Sequence, residues 1–335
     1  MTSPIVERLL RSEEPSVRFK ALTQIQGRET NSEEIRSLQE EIRESSRVRL
    51  LLSERQADGQ IPASPYSKWN GAHWVLATLA DLGYPAGDQS LVPLREQVHS
   101  WLLGKGHLKG IKTIAGLVRR CASQEGNALY TLLTLGLADE ATEQLAQNLT
   151  QWQWPDGGWN CDKDPAATHS SFMESLLPLR GLALHARLTG NPHSRDAAER
   201  AADVFLKREL FKRQHDGRVI DPDFITLHYP WYWHYDILFG LKVMAEAGWL
   251  QDQRCQAALD LLKSKQLPDG GFPAEKKYYQ NKPNAKTGLS LVEWGGTSRT
   301  DMNEFVTVEA LSVLSAAQRD GNRQIELKRQ RAMKS

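Results

Sequence analysis

The feature that most constrains this 335-residue chain is a short repeated phrase. In each of its four copies a Gln precedes an Asp-Gly pair. The copies are QADGQI at 56–61, QWPDGGW at 153–159, QHDGRV at 214–219 and QLPDGGF at 266–272. In every copy the residue three places after Asp is large and apolar. The Asp positions are 98, 60 and 53 residues apart, and because 98 is twice 49, we expect a degenerate copy near 104–107. This period predicts an array of similar structural units.

The sequence between the turns predicts helices. An Asp-Gly pair favours a tight turn, because glycine adopts a positive φ without steric cost. Apolar residues at three- and four-residue intervals, the period of one helix face, cover residues 69–82, 129–135, 172–179, 237–244 and 305–314. More charged helices precede the turns, over 139–151, 194–213 and 252–266. We therefore expect an all-α protein, an α/α toroid of about five to six helical hairpins with the apolar helices inside, and an open superhelix is the alternative.

The pattern changes at both ends of the chain. Residues 1–55 lack the phrase and are predicted to form N-terminal capping helices. Residues 56–318 are predicted to be the toroid repeat domain, and 319–335 a charged C-terminal tail.

Composition excludes several classes of function. Lys and Arg number 42 and Asp and Glu 41, so the formal charge is +1 and neither nucleic-acid binding nor attraction to an anionic membrane is indicated. No apolar run reaches the roughly 18–20 residues of a transmembrane helix, and the N-terminus has no signal-peptide pattern. The three cysteines are far apart, which indicates a cytoplasmic protein without a disulfide framework. The sequence does not indicate an oligomeric state.

The repeated phrase resembles the QW repeats of squalene–hopene cyclases and related triterpene cyclases, and the copies at 153–159 and 266–272 match best. The β-subunits of protein prenyltransferases are similar in repeat and fold. The resemblance covers about residues 50–317. It implies an α/α toroid whose central cavity binds a hydrophobic or isoprenoid-type ligand.

The catalytic strings of those families are missing. Alkene-protonating cyclases use the middle acid of Asp-x-Asp-Asp, whereas the nearest string here places Asn303 at that position, between Asp301 and Glu304. An amide cannot supply the proton. The Asp-x-Cys zinc pair of prenyltransferases is also absent, since Cys161 is preceded by Asn160. A class II cyclase reaction is therefore not expected.

Polar residues of five segments concentrate at the starts of the predicted inner helices, which point to one mouth of the toroid. The free N–H groups there favour anions, and a cavity with converging titratable groups is the usual form of a catalytic site. Gln124 and Glu174 lie at two of these starts. The candidate catalytic residues are His73, Glu125, His169, His234, Asp236, Asp301 and Glu304. The candidate ligand-binding residues are Trp69, Cys121, Phe172, Trp231, Tyr232, Tyr235 and Asn303. The alternative is that the polar residues cap helices and the aromatic residues pack between them.

No cofactor is predicted, although Cys161, Asp162 and His169 form an alternative zinc set. A site made of His228, His234 and Asp236 is disfavoured, because residues two apart on a helix point about 200° apart.

The loop over 273–300 carries five basic residues, which is typical either of an anion-binding lid or of a solvated loop.

Three classes of function remain open. The first is a terpene-cyclase-like lyase, isomerase or transferase, which a deep apolar pocket would favour. The second is a carbohydrate-active lyase or hydrolase on a helical toroid, with Glu125, Asp236 or Glu304 as paired acid and base, which an open cleft with two facing carboxylates would favour. The third is a non-catalytic binding or scaffold protein, which a centre filled by side chains would favour.

Overall fold

Fourteen α-helices and one two-stranded hairpin form the part of the chain that the computed structural model describes, residues 3–282 and 284–332, with side chains as far as residue 319. The N-terminal helices are α1 (Pro4–Leu10), α2 (Pro15–Lys20), α3 (Glu33–Arg43) and α4 (Ser46–Leu52). The helices of the middle of the chain are α5 (Ala72–Leu82), α6 (Val92–Leu102), α7 (Lys105–Lys109), α8 (Ser123–Thr134) and α9 (Glu140–Trp152). The remaining helices are α10 (Phe172–Thr189), α11 (Pro192–Leu206), α12 (Ile237–Ala247), α13 (Gln256–Ser264) and α14 (Glu304–Ala332). Strands β1 (Lys112–Ile114) and β2 (Leu117–Arg119) pair antiparallel between α7 and α8.

The helices are arranged in two layers. The inner helices α5, α8, α10, α12 and α14 contact one another in chain order. The outer helices α6, α9, α11 and α13 pack against α5, α8, α10 and α12, respectively. This arrangement confirms the predicted all-α toroid.

The N-terminal segment completes the inner layer. Helix α2 and the π-helical turn that follows it, Ala21–Ile25, pack against α14. Lys20 Nζ is 3.0 Å from Asp81 of α5 and 2.6 Å from Glu309 of α14. Residues 1–55 therefore contribute a helix between the first and last inner helices, in addition to the helices α1, α3 and α4.

The repeated phrase forms turns as its sequence predicts. The glycine after Asp has a positive φ in all four copies, between 68° at Gly217 and 107° at Gly157. In two copies the Gln side chain fixes the turn, since Gln153 Nε2 donates to Gly157 O at 2.7 Å and Gln266 Nε2 donates to Gly270 O at 2.9 Å. The large apolar residue after the turn is buried in three copies, at Ile61, Trp159 and Phe272. At 104–107, where a degenerate copy is expected, the chain forms the start of α7.

The ends of the helices also follow local signals. Gly83 and Gly248 adopt φ of 83° and 87° directly after α5 and α12, as is usual for a glycine that ends a helix. Asp139 and Thr142 form a reciprocal capping box at the start of α9. The predicted charged tail at 319–335 continues α14 as far as Ala332, and residues 333–335 lie outside the described residues. Among the described helices, none is long and apolar enough to cross a lipid bilayer.

Candidate functional site

Charged side chains fill the centre of the toroid. Six of them form a continuous chain of ion pairs between the N-terminal segment and the inner helices: Lys20, Asp81, Arg180, Lys242, Glu246 and Glu309. The Glu309 carboxylate accepts from Lys20 Nζ at 2.6 Å and from Lys242 Nζ at 2.7 Å. Burial alone would raise the pKa of Asp81, but the positive charges of Lys20, Lys242 and Arg180 hold it below its usual value.

The cavity left at the centre is small. Its volume is about 40 Å³, and its lining includes Asn127, Tyr229 and Trp231 in addition to Asp81 and Arg180. This volume accommodates a few water molecules and not an isoprenoid chain. The structure therefore does not support the expected central pocket for a hydrophobic or isoprenoid ligand, because the ion pairs and aromatic rings occupy that space.

A polar cluster lies instead at one mouth of the toroid, where α8 begins. Glu125, in the first turn of α8, is buried. Its Oε1 accepts from Arg120, with Nε at 2.9 Å and a second contact from Nη2, and lies 3.3 Å from His107 Nε2. Arg120 Nη2 also donates to Gln124 at 3.0 Å and contacts His107. Glu125 Oε2 has no hydrogen-bond partner among the described residues.

His73 borders this cluster as a neutral ring. Asn127 Nδ2 lies 3.1 Å from His73 Nε2, and His73 Nδ1 has no partner in the described part of the chain. Burial lowers the pKa of His73 to about 3, so the imidazole is uncharged at neutral pH. The rings of Trp101 and Tyr66 lie 5.4 Å and 6.3 Å from the His73 ring, centroid to centroid.

Two cysteines and a glutamate meet beside the cluster. Cys161 Sγ is 3.5 Å from Glu174 Oε1, and the backbone N–H of Ser123 donates to Glu174 Oε2 at 3.1 Å. The ligand atoms of Cys121, Cys161 and Glu174 all lie within 4.8 Å of one another. Burial raises the pKa of the Glu174 carboxyl above its ordinary value. The zinc set considered from the sequence is not assembled, since Asp162 and His169 are exposed and Glu174 and Cys121 stand next to Cys161 instead.

The aromatic stretch 226–236 is a loop and not part of a helix, and it contains a cis Tyr229–Pro230 bond. The premise that placed His234 and Asp236 on one helix is therefore wrong. His228 Nδ1 is 3.0 Å from Asp236 Oδ2, and both residues are buried. Asp236 caps α12, because its Oδ1 accepts from the N–H of Phe239 at 2.7 Å. This contact gives Asp236 a structural role.

Two pairs of stacked rings lie near that loop. Trp69 stacks on Tyr232 with centroids 3.8 Å apart, and His234 stacks on Tyr278 at 3.5 Å. Burial lowers the pKa of His234 to about 3.

Several predicted site residues pack or cap away from the polar cluster. Phe172 and Tyr235 pack edge to face at 5.0 Å, and Trp231 stacks on Phe239 at 4.7 Å. Asn303 caps α14 by accepting from the N–H groups of Phe305 and Val306.

The remaining predicted acids and His169 also lie apart from the cluster. Glu304 accepts from Ser12 Oγ at 2.7 Å, and the exposed Asp301 accepts from Ser298 Oγ at 2.8 Å. The exposed His169 offers its backbone carbonyl to Asn160. Of the residues predicted from the sequence, Glu125 lies in the cluster and Cys121 directly follows Arg120, which binds Glu125. His73 packs on Trp101, whose ring also contacts His107, and Trp69 packs on Trp74 next to His73.

Sequence reasoning missed Tyr66, Trp101, His107 and Arg120. They lie on a loop, α6, α7 and the segment after β2, which the helical period does not relate to α8. The only local signal is the position of Arg120 directly before Cys121.

Neither the protein-family models nor the curated proteins include a match to this chain. Among solved structures, the chain is similar to the unsaturated glucuronyl hydrolase of Bacillus sp. GL1, an enzyme responsible for the degradation of glycosaminoglycan. The two share 13% identity with a TM-score of 0.43, and the match covers 90% of this chain and 84% of the hydrolase. A second structure, of a UGL variant with dGlcA-Glc-Rha-Glc, is similar at 14% identity and a TM-score of 0.43, with the same shares covered.

Membership of the terpene cyclase and prenyltransferase superfamily, expected from the repeated phrase, is wrong. No family model supports a cyclase, and ion pairs and aromatic rings occupy the space at the centre that an isoprenoid would need. The phrase itself has a structural explanation, since its Gln and Asp-Gly residues build the turns between outer and inner helices.

Proposed function

We propose that the chain is a carbohydrate-active lyase or hydrolase whose reaction takes place at the mouth cluster around Glu125. The observation that carries this proposal is a buried carboxylate with one engaged and one free oxygen. Arg120 holds Oε1, while Oε2 has no partner among the described residues. A carboxylate with an unpartnered oxygen can accept a proton, and because this oxygen is shielded from bulk solvent, we expect a water molecule within the cluster to deliver it.

Aromatic rings beside Glu125 support a sugar as the substrate. Trp101 lies between Tyr66 and His107, with centroids 5.4 Å and 5.1 Å from theirs, and His107 contacts Glu125. These rings offer apolar faces next to strong hydrogen-bonding groups, a combination that suits the C–H faces and hydroxyl groups of a pyranose ring. The platform also carries the phenol of Tyr66, which can donate a proton.

An adjoining pocket supports the same substrate class. Its volume is about 480 Å³, and Tyr66 belongs both to its wall and to the ring platform. The polar residues that line it are Ser64, Ser67, Lys68, Asn70, Lys286 and Thr287. Hydroxyl, amide and amine groups match a saccharide, whereas an isoprenoid would leave them without partners.

The test is an incubation of the purified protein with a panel of neutral and uronate-containing oligosaccharides, followed by mass spectrometry of the products. We expect cleavage of at least one member. Glu125→Gln, which keeps the shape of the side chain, is expected to lower kcat by at least about 100-fold. Glu140→Gln, on the exposed side of α9, is the matched control and is expected to retain full activity.

Absence of turnover across the panel, or full activity in the Glu125→Gln variant with a native melting curve, would contradict the proposal. The filled centre favours one second candidate, a non-catalytic binding protein. Saccharide binding without turnover, measured by calorimetry, would identify that case.

A further inference from the structure

Cys121, Cys161 and Glu174 come from three separate segments of the chain. Cys121 follows β2, Cys161 follows the second Asp-Gly turn, and Glu174 lies in the first turn of α10. Their sulfur and oxygen atoms nevertheless lie within 4.8 Å of one another, and Cys161 Sγ is 3.5 Å from Glu174 Oε1. Both cysteines are free thiols and partly accessible to solvent. A small ion can therefore reach all three side chains.

Backbone contacts hold the two cysteines side by side. Arg119 and Asn160 form a parallel bridge, and the N–H of Arg120 donates to the carbonyl of Asn160 at 3.0 Å. Cys121 and Cys161 each follow this paired section directly. Their proximity is consequently fixed by the main chain and does not depend on a particular side-chain rotamer.

Glu174 is held by a separate contact. Its Oε2 accepts from the backbone N–H of Ser123 at 3.1 Å, which leaves Oε1 directed towards Cys161. The neighbouring cation, Arg120, is hydrogen bonded to Glu125 and Gln124. Two thiolates and a carboxylate, which are all anionic when they bind a metal ion, thus converge. The guanidinium of Arg120 is hydrogen bonded to other residues and does not neutralise them.

We propose that Cys121, Cys161 and Glu174 bind a zinc ion. Thiolates are soft ligands that select Zn²⁺ over Mg²⁺ or Ca²⁺, and a carboxylate oxygen completes a common ligand set. Zinc prefers four tetrahedral ligands, so three protein ligands leave one position for water or a substrate atom. Binding releases the thiol protons to solvent and forms two Zn–S bonds and one Zn–O bond. This inference concerns metal binding alone and stands whether or not the chain cleaves saccharides.

Metal content tests the proposal directly. The protein, purified under reducing conditions and supplied with Zn²⁺, is passed through a desalting column and its zinc is measured by mass spectrometry. We expect about one zinc ion per chain. Cys121→Ser and Cys161→Ser are expected to lose most of this zinc, whereas Cys255→Ser is the matched control and is expected to retain it, because Cys255 is buried outside the cluster.

Cobalt substitution provides a readout on the unaltered chain, in case a variant fails to fold. Co²⁺ in the same site is expected to give the intense near-ultraviolet charge-transfer absorption of thiolate ligands, and Glu174→Gln is expected to shift its visible bands. Zinc-free protein after loading, a cobalt spectrum without thiolate absorption, or a Cys121–Cys161 disulfide that forms in preference to metal binding would overturn the proposal. Retention of zinc by a folded Cys121→Ser variant would do so as well.

Discussion

Replacement of Glu309 by Gln tests whether the ion pairs at the centre stabilise the toroid. Glu309 is buried and accepts one hydrogen bond from Lys20 at 2.6 Å and one from Lys242 at 2.7 Å. A hydrogen bond to a charged group contributes about 1.5–3 kcal/mol, and removal of one partner of a buried ion pair costs about 3–5 kcal/mol. Lys20 would keep Asp81, and Lys242 would keep Glu246. We therefore expect the lower end, a loss of about 3 kcal/mol.

The measurement is urea unfolding followed by tryptophan fluorescence, for which the chain offers ten tryptophans. The control is Glu44→Gln, because the Glu44 side chain is 73% exposed and its ion pair with Arg49 is long, at 4.0 Å. An exposed pair of this kind contributes less than about 1 kcal/mol. If the Glu309→Gln variant unfolds within about 1 kcal/mol of the wild type, the central ion pairs are not a source of stability and the reasoning is refuted.

Two further predictions concern the folded chain. The pKa of His73 is about 3 in the folded chain and about 6.5 in the unfolded chain. Between these pH values the unfolded chain binds more protons, so the free energy of unfolding rises with pH, by up to about 1.4 kcal/mol per pH unit. Urea midpoints measured at pH 5 and pH 7 should differ less in His73→Asn than in the wild type. The control His215→Asn, whose side chain is 75% exposed, should keep the wild-type difference. Equal pH dependence in all three proteins would contradict this account. Gly157→Ala should cost about 2–3 kcal/mol, because φ is 107° and the new Cβ would lie 2.4 Å from the carbonyl oxygen of Arg200. Gly217→Ala, with φ of 68° and open space around it, should cost only about 1 kcal/mol, and thermal melts showing equal losses would count against the proposed clash.

The sequence by itself determined the features that depend on short-range interactions. The Asp-Gly turns form where the repeated phrase places them, since only glycine adopts φ near 107° at Gly157 without strain. The helix ends at Gly83 and Gly248 follow from the same property. Helical period and turn spacing together were sufficient for an all-α toroid, because each hairpin buries its apolar face against the next.

The tertiary structure decided what fills the centre and which polar residues meet. Glu309 lies within the predicted helix at 305–314, but the helical period does not show that Lys20, almost 300 residues away, reaches it. The contact between Cys121 and Cys161 likewise depends on backbone pairing between segments 40 residues apart in sequence. Charge and hydrogen-bond partners are chosen by distance in the folded chain, and a periodic pattern carries no information about that distance.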